Sequence, residues 1–231
     1  QFSADGRWVY FLSDQSGFSQ VWRVSVSGGV AEPVTASPVD LSGFLLSPTN
    51  KKIAVWADRP EGATDIAASP EKPKGGSARI YDQLFIRHWD TWANGERSKL
   101  FTYALENGKA VGQAKLVSVG LIGDTPSKPH GGGEEIAWRA DGQDIYFALR
   151  EAGTNEAISP NLDIFVGDPN GGNTVKNITK DNKATDTLPA ASPDGKWLAW
   201  AAMKRPTYEA DRMVLQLGNL QTNTSSPLAA N

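Results

Sequence analysis

A short pattern of polar and apolar positions recurs four times along the chain. In residues 191–200, a Ser-Pro-Asp-Gly-Lys segment precedes an alternating apolar run. Residues 2–11 and 138–147 repeat this pattern with their own Asp-Gly pairs, and residues 46–55 carry Thr-Asn instead. Asp-Gly and Asn supply the positive φ of a tight hairpin turn, so each copy predicts a strand, a turn and a second strand. Four copies of one hairpin indicate a repeat architecture.

The segments between the copies predict the outer strands of each repeat. After the first copy, Val21, Val24 and Val26 with their polar neighbours fit a half-buried strand, and a Ser-Gly-Gly turn leads to a short outer strand. Four strands in about 36 residues match one β-propeller blade. We therefore expect an all-β propeller with four blades of four antiparallel strands. The blades are predicted at about residues 1–36, 41–119, 135–180 and 187–231.

An insertion at residues 60–97 interrupts the second blade. Its first part is rich in Pro, Gly, Ala and charge; residues 80–89 fit a strand or a short helix, and residues 90–95 fit a turn. The first copy begins at once, at residue 2, so we expect a fragment of a larger propeller of about seven or eight blades. A closed four-bladed ring, similar to a lectin, is the alternative.

Composition narrows the range of functions. The formal net charge is −3 and like charges form no long run, which argues against a nucleic-acid or membrane-surface partner. No stretch of about 18 apolar residues predicts a membrane span. The chain has no cysteine, so disulfides, thiolate metal sites and cysteine nucleophiles are excluded. Asp181 and Asp186 lack the spacing of an EF-hand loop, and we expect neither a metal nor a cofactor.

The repeat itself resembles the propeller repeats of TolB-type proteins and of the prolyl oligopeptidase family. Three further stretches, at residues 81–92, 126–135 and 202–212, resemble the bacterial dipeptidyl aminopeptidase and acylaminoacyl-peptidase branch of that family. The resemblance spans nearly the whole chain, and the three stretches occur in the same order as in that branch.

The resemblance implies a serine peptidase of two domains, in which a propeller caps a C-terminal α/β-hydrolase domain and admits short peptides. No Gly-x-Ser-x-Gly elbow occurs in these residues, so we expect the hydrolase domain and its Ser-His-Asp triad to lie outside this chain. The expected function is a noncatalytic, substrate-gating propeller of an exopeptidase that releases dipeptides or acyl-amino acids. The alternative is a TolB-like binding or scaffold propeller without catalysis. The resemblance favours a periplasmic or secreted location over a cytoplasmic one and leaves a homodimer of the intact enzyme open.

Glu134 and Glu135 are the first candidate for substrate binding. Adjacent carboxylates before an inner strand can bind a peptide's N-terminal ammonium by charge-assisted hydrogen bonds, and dipeptidyl-peptidase relatives use acidic propeller residues in this way. Neighbouring side chains on a strand point in opposite directions, however, so the alternative places at most one of them at the site.

Arg87, Trp89 and Trp92, in the insertion, and Arg205, which follows a strand, are the second candidate. Arg and aromatic side chains there can line the substrate entrance and the domain interface. The alternative is that the Trp residues pack the insertion onto the second blade and that Arg205 is solvated. Neither His88 nor His130 has a triad partner in sequence, so no catalytic residue is expected in this chain, and His88 is interpreted as a packing residue.

Overall fold

Over the residues that the structure describes, the chain folds into antiparallel β-sheets with one short 3₁₀ helix. The computed structural model describes residues 1–70, 76, 78–82, 84–88, 90–153 and 156–228. The first sheet contains β1 (Trp8–Ser13), β2 (Gln20–Ser25) and β3 (Glu32–Pro33). The second contains β4 (Gly43–Leu46), β5 (Lys52–Pro60), β8 (Glu96–Glu106) and β9 (Lys109–Leu116). The third contains β10 (Ile136–Trp138), β11 (Ile145–Leu149), β12 (Asp163–Gly167) and β13 (Val175–Asn177). The fourth contains β14 (Asp186–Ala191), β15 (Trp197–Ala202), β16 (Val214–Asn219) and β17 (Thr224–Pro227).

Each sheet is ordered as the strands follow in the chain, which is the blade arrangement of a β-propeller, and the predicted fold class is confirmed. The first sheet differs in one respect. It has three strands, and Phe2 adds only an isolated bridge to Val9 where a fourth strand was expected.

The repeated segments form hairpin turns, as predicted. They join the first two strands of the second, third and fourth sheets, whereas in the first sheet the turn joins Phe2 to β1. The glycines take the positive φ, 67° at Gly6 and 69° at Gly195, and Asn50 takes the same role at 55°. The aspartates accept hydrogen bonds inside the turn: Asp194 Oδ1 accepts from Lys196 N at 3.0 Å and from Ser192 Oγ at 2.5 Å. These carboxylates therefore have a structural role.

The insertion leaves the second sheet between β5 and β8, which pair from Lys52↔Ala104 to Pro60↔Glu96. Its described residues include a two-stranded hairpin, β6 (Arg87–His88) and β7 (Thr91–Trp92). Residues 80–82 and 84–86 form neither the strand nor the helix considered above. Within residues 90–95, where a turn was expected, residues 91–92 form strand β7.

Three apolar clusters hold neighbouring sheets face to face. Odd-numbered residues of β5 and β8, such as Ile53 and Phe101, pack with Val21 of the first sheet. Even-numbered residues of the same strands pack with the third sheet, whose Tyr146 and Ile164 in turn join Leu198 of the fourth sheet. Because side chains alternate along a strand, each inner blade is covered on both faces.

Hydrogen bonds between sheets show that equivalent ends of the blades lie on the same side. The hairpin turns meet through Ala4 N and Asn50 Oδ1 at 3.1 Å, and through Lys52 Nζ and the carbonyl of Gly142 at 3.2 Å. At the opposite ends, Thr185 Oγ1 donates to the carbonyl of Pro160 at 3.1 Å. We name the side of the hairpin turns the turn face. The other side is the loop face. It is formed by the described parts of the connections 14–19, 61–95, 150–162 and 203–213 and by the starts of β4, β10 and β14.

Gly43 provides the first test of this packing. Its Cα lies against the indole of buried Trp56, so a methyl group at residue 43 would overlap the ring. We expect Gly43→Ala to lower the free energy of unfolding by about 1–3 kcal/mol, measured by urea unfolding. Gly62→Ala is the matched control, because nothing lies within 4 Å of the added methyl group. Equal unfolding midpoints for the two variants would contradict the packing described.

Candidate functional site

The predicted site residues lie on the loop face, in three separate segments. Glu134 and Glu135 form the 3₁₀ helix (Gly133–Glu135) that leads into the innermost strand β10. Arg87 and Trp92 lie on the hairpin of the insertion, and Arg205 lies in the connection 203–213. Trp89 lies outside the described residues. The topology therefore places the carboxylate pair, the insertion hairpin and Arg205 on one side of the propeller.

Glu135 is a buried carboxylate with dedicated donors. Only 6% of the residue is exposed. Its Oε2 accepts from Ser127 N at 2.7 Å and its Oε1 from Ser127 Oγ at 2.8 Å. Burial raises the pKa of Glu135, the two bonds from Ser127 lower it, the nearby charge of Glu134 raises it, and the Thr187 side chain in β14 lowers it. The carboxylate is thus fixed in place, and a cation beside it would relieve the cost of burying its charge.

Glu134 is exposed next to this fixed carboxylate. The strand alternation expected from the sequence does not apply, because both residues belong to a tight 3₁₀ turn and not to β10. The preceding glycines permit the turn: a methyl group on Gly131 would overlap the Glu135 carboxylate and the backbone of Ser127. The site therefore combines one rigid, buried carboxylate with one solvated carboxylate.

Arg205 is presented on a stiff loop. Its Nη2 and Nε lie 2.8 and 2.9 Å from Asp211 Oδ1, and its guanidinium lies 4.0 Å from the ring centroid of Tyr208. Asp211 also accepts from the backbone N–H of Arg205 at 2.8 Å, and these bonds hold the pKa of Asp211 well below its usual range. The Arg205 side chain is 60% exposed, so it remains open to a ligand.

The insertion hairpin exposes apolar and aromatic surface. Trp92 is 57% exposed, and the Arg87 guanidinium lies 5.6 Å from its ring centroid. His88 stacks on Phe85 with ring centroids 5.2 Å apart, which agrees with its interpretation as a packing residue. Ile80 and Leu84 are also exposed. Trp92 is therefore not packed into the second blade.

Asp186 is a buried acid that the sequence did not single out as functional. It begins the innermost strand β14 on the loop face, is 1% exposed, and accepts from Trp200 Nε1 at 2.8 Å. Burial raises the pKa of Asp186 to about 7, against the lowering effect of the Trp200 bond. Asp163 adds a further raising charge.

Sequence reasoning also missed Ser127 and a cluster of ion pairs around Arg97. Arg97 contacts Glu61, Asp124 and Glu156, which lie 27 to 59 residues away along the chain. No local motif marks pairs at such separations. Ser127 lies in the stretch 126–135, which resembles the peptidase family, and this resemblance is the signal in the sequence that could have pointed to it.

Within the described residues, no group of three or more acidic or histidine side chains is arranged to hold a metal ion. No helix in the same part of the chain is long and apolar enough to cross a membrane.

Comparison with known proteins supports a peptidase relationship. No model of a protein family matches the chain. The dipeptidyl-peptidase 5 of Porphyromonas gingivalis is 31% identical over 220 residues, which cover 95% of this chain and 32% of the relative. The chain thus spans about a third of the length of the curated relatives it matches.

Solved structures show the same fold at low sequence identity. An acylaminoacyl peptidase of Pyrococcus horikoshii matches 99% of this chain and 31% of its own with a TM-score of 0.62 and 11% identity. TolB of Acinetobacter baumannii matches 100% of this chain and 42% of its own with a TM-score of 0.53 and 16% identity. These structures show the fold, and the P. gingivalis relative confirms the resemblance to peptidases that was drawn from the sequence.

Asp186 predicts a pH-dependent stability. Its folded pKa, about 7, lies above the ordinary 3.8, so the folded state holds the proton more tightly than the unfolded state. Its contribution is therefore fully present at low pH and is lost as the pH rises to about 7. We expect Asp186→Asn to flatten the dependence of the free energy of unfolding on pH in this window.

The measurement is urea unfolding at several pH values, followed through tryptophan fluorescence. Asp181→Asn, at an exposed position in the preceding loop, is the control and should keep the wild-type slope. An Asp186→Asn profile parallel to the wild type would show that Asp186 does not titrate in this range.

Proposed function

We propose that this chain, a relative of the dipeptidyl-peptidases 5, is the noncatalytic propeller of a serine exopeptidase and selects short peptides by their free N-terminus. The observation that carries the proposal is the carboxylate pair on the loop face, with Glu135 buried and fixed and Glu134 open to solvent. In the proposed complex, the substrate ammonium lies between these carboxylates. Acyl transfer by a Ser-His-Asp triad takes place in an α/β-hydrolase domain outside this chain.

An ammonium group matches this environment. Charge-assisted hydrogen bonds to a carboxylate are short and strong, and they gain strength where water is partly excluded. A cation beside Glu135 also compensates a charge whose burial raises its pKa. An N-acylated peptide offers no cation and would leave that charge uncompensated.

The other loop-face groups have complementary roles in the proposal. Arg205 is exposed and oriented by Asp211 and Tyr208, so it is available for a carbonyl or carboxylate oxygen of the peptide. Trp92 and Arg87 on the insertion offer apolar and stacking surface at the entrance or toward the hydrolase domain. Trp89 is included with them on sequence grounds alone. A periplasmic or extracellular location is part of the proposal.

A TolB-like scaffold without catalysis is the second candidate, supported by the similar fold. The comparison favours the peptidase, because the P. gingivalis relative is 31% identical and TolB of A. baumannii is 16% identical. The two candidates also differ in the catalytic domain: only the peptidase requires a reactive serine in the same polypeptide.

Substitution of the carboxylates tests the binding role. We expect Glu134→Gln and Glu135→Gln, introduced together into the full-length protein, to lower kcat/KM for a free dipeptidyl substrate by about tenfold or more. Activity on an N-acylated substrate should change little, since that substrate has no ammonium. Glu106→Gln, at an exposed position on the turn face, is the control. An unchanged preference for the free N-terminus would rule out the assigned role.

A serine-directed probe tests the noncatalytic role. A fluorophosphonate should label the full-length protein at one serine outside residues 1–231, and it should leave the serines of this chain unlabelled. Labelled peptides would be identified by mass spectrometry. Labelling inside residues 1–231 would contradict a noncatalytic propeller, and absence of any reactive serine in the full-length protein would favour the scaffold.

A further inference from the structure

Arg97 joins three connections of the loop face. Its Nη1 and Nη2 donate to Oε1 and Oε2 of Glu156, both at 2.8 Å, in a bidentate pair. Nη1 also donates to Asp124 Oδ2 at 3.1 Å, and Nε to Glu61 Oε2 at 3.3 Å. These carboxylates belong to the base of the insertion, to the segment before β10 and to the connection 150–162. One guanidinium thus links two neighbouring blades.

Asp124 carries this link into the segment before β10. Its Oδ1 accepts from Ser98 N at 2.7 Å. Beside it, Ser98 Oγ donates to the carbonyl of Thr125 at 3.0 Å, and Thr125 N donates to the carbonyl of Ser98 at 2.9 Å. The segment is therefore attached to the start of β8 at two consecutive residues.

The attachment ends two residues before the donor of the candidate site. Ser127 follows Thr125 closely and supplies both hydrogen bonds to the Glu135 carboxylate. Its own carbonyl accepts from Gly131 N at 2.7 Å, which closes the loop on the side of the 3₁₀ helix. Two sets of hydrogen bonds, one at Arg97, Asp124 and Thr125 and one between Ser127 and Glu135, are thus joined by the covalent backbone of residues 124–127.

Electrostatics makes Arg97 hard to replace in this position. The side chains of Asp124 and Glu156 are only 10% and 12% exposed. Without the guanidinium, Glu156 would lose its bidentate partner, and Asp124 would be left with the longer ion-pair contact of 3.6 Å to Lys128 Nζ, which also pairs with Asp58. Removing one partner of such a poorly solvated pair is costly. Lys99 is also buried here, but burial lowers its pKa and it is a point charge that cannot form the planar bidentate pair.

We propose that Arg97 is a positioning residue for substrate selection: through Asp124 it holds Ser127 against Glu135 and so fixes the carboxylate that receives the peptide ammonium. The inference rests on the proposed function for its consequence in catalysis. The two sets of hydrogen bonds are independent of the substrate. Arg97 touches neither substrate nor reacting atoms in this account.

The test uses Arg97→Gln, Arg97→Lys and Glu156→Gln in the full-length protein. We expect Arg97→Gln to raise KM for a free dipeptidyl substrate by about tenfold, with kcat within about twofold of the wild type. The acid limb of the kcat/KM profile should move to higher pH, because loss of the Ser127 bonds removes an effect that lowers the pKa of Glu135. Arg97→Lys should raise KM less than Arg97→Gln does, since lysine keeps the positive charge but cannot form the bidentate pair with Glu156.

A second readout does not depend on catalysis. Hydrogen exchange measured by mass spectrometry should be faster in residues 120–135 of Arg97→Gln than in the wild type, and unchanged in turn-face peptides. Arg7→Gln, which breaks an exposed ion pair with Asp5 on the turn face, is the matched control and should affect neither readout. If Arg97→Gln does not fold, Glu156→Gln and Arg97→Lys carry the same test with smaller effects.

The outcomes separate this inference from the proposed function. Unchanged exchange in residues 120–135 overturns the positioning role, whatever the substrate. Faster exchange with an unchanged KM and pH profile also overturns it, provided that the Glu134 and Glu135 variants do affect the substrate. Faster exchange together with Glu variants that leave the substrate preference unchanged overturns the proposed function, while the link from Arg97 to Glu135 stands.

Discussion

A carboxylate buried in a protein needs hydrogen-bond donors, and the arrangement of the loop face follows from supplying them to Glu135. Ser127 gives its backbone and side-chain donors, Gly131 leaves room for the carboxylate, and the 3₁₀ turn brings Glu134 alongside. The Trp56 indole packs under Gly133 at the base of this turn. Burying the Glu135 carboxylate costs free energy, because a charged group is removed from water. Buried ionisable groups with a shifted pKa are concentrated at functional sites.

The two faces of the propeller differ in structure and in the residues they expose. On the turn face, short Asp-Gly and Asn turns satisfy their own backbone groups, as the bonds of Asp194 to Lys196 and Ser192 illustrate. On the loop face, long connections carry the exposed Trp92, the oriented Arg205 and the ion pairs of Arg97. The two inner sheets between them are covered on both faces by apolar side chains. Variation in the loops can therefore change recognition without changing the blades.

The parts of the structure that depend on local pattern could be predicted from the sequence. The hairpin turns follow from residues such as Gly6 and Asn50, whose positive φ is a property of the residue type. The site could be predicted only in part, since Glu134 and Glu135 are adjacent and charged, but the 3₁₀ turn that separates their environments is set by tertiary contacts with Ser127. The Arg97 pairs and the burial of Asp186 depend on which blades become neighbours, and no short-range pattern encodes that. The insertion hairpin is too short for its periodicity to identify it.

The position of a bound peptide's terminal nitrogen tests the central claim most directly. The measurement is a structure of the full-length protein, with its reactive serine inactivated, in complex with an uncleaved short peptide. We expect the N-terminal nitrogen to lie within about 3 Å of a carboxylate oxygen of Glu134 or Glu135, as in a charge-assisted hydrogen bond. A peptide bound with its terminal nitrogen remote from both carboxylates would contradict it.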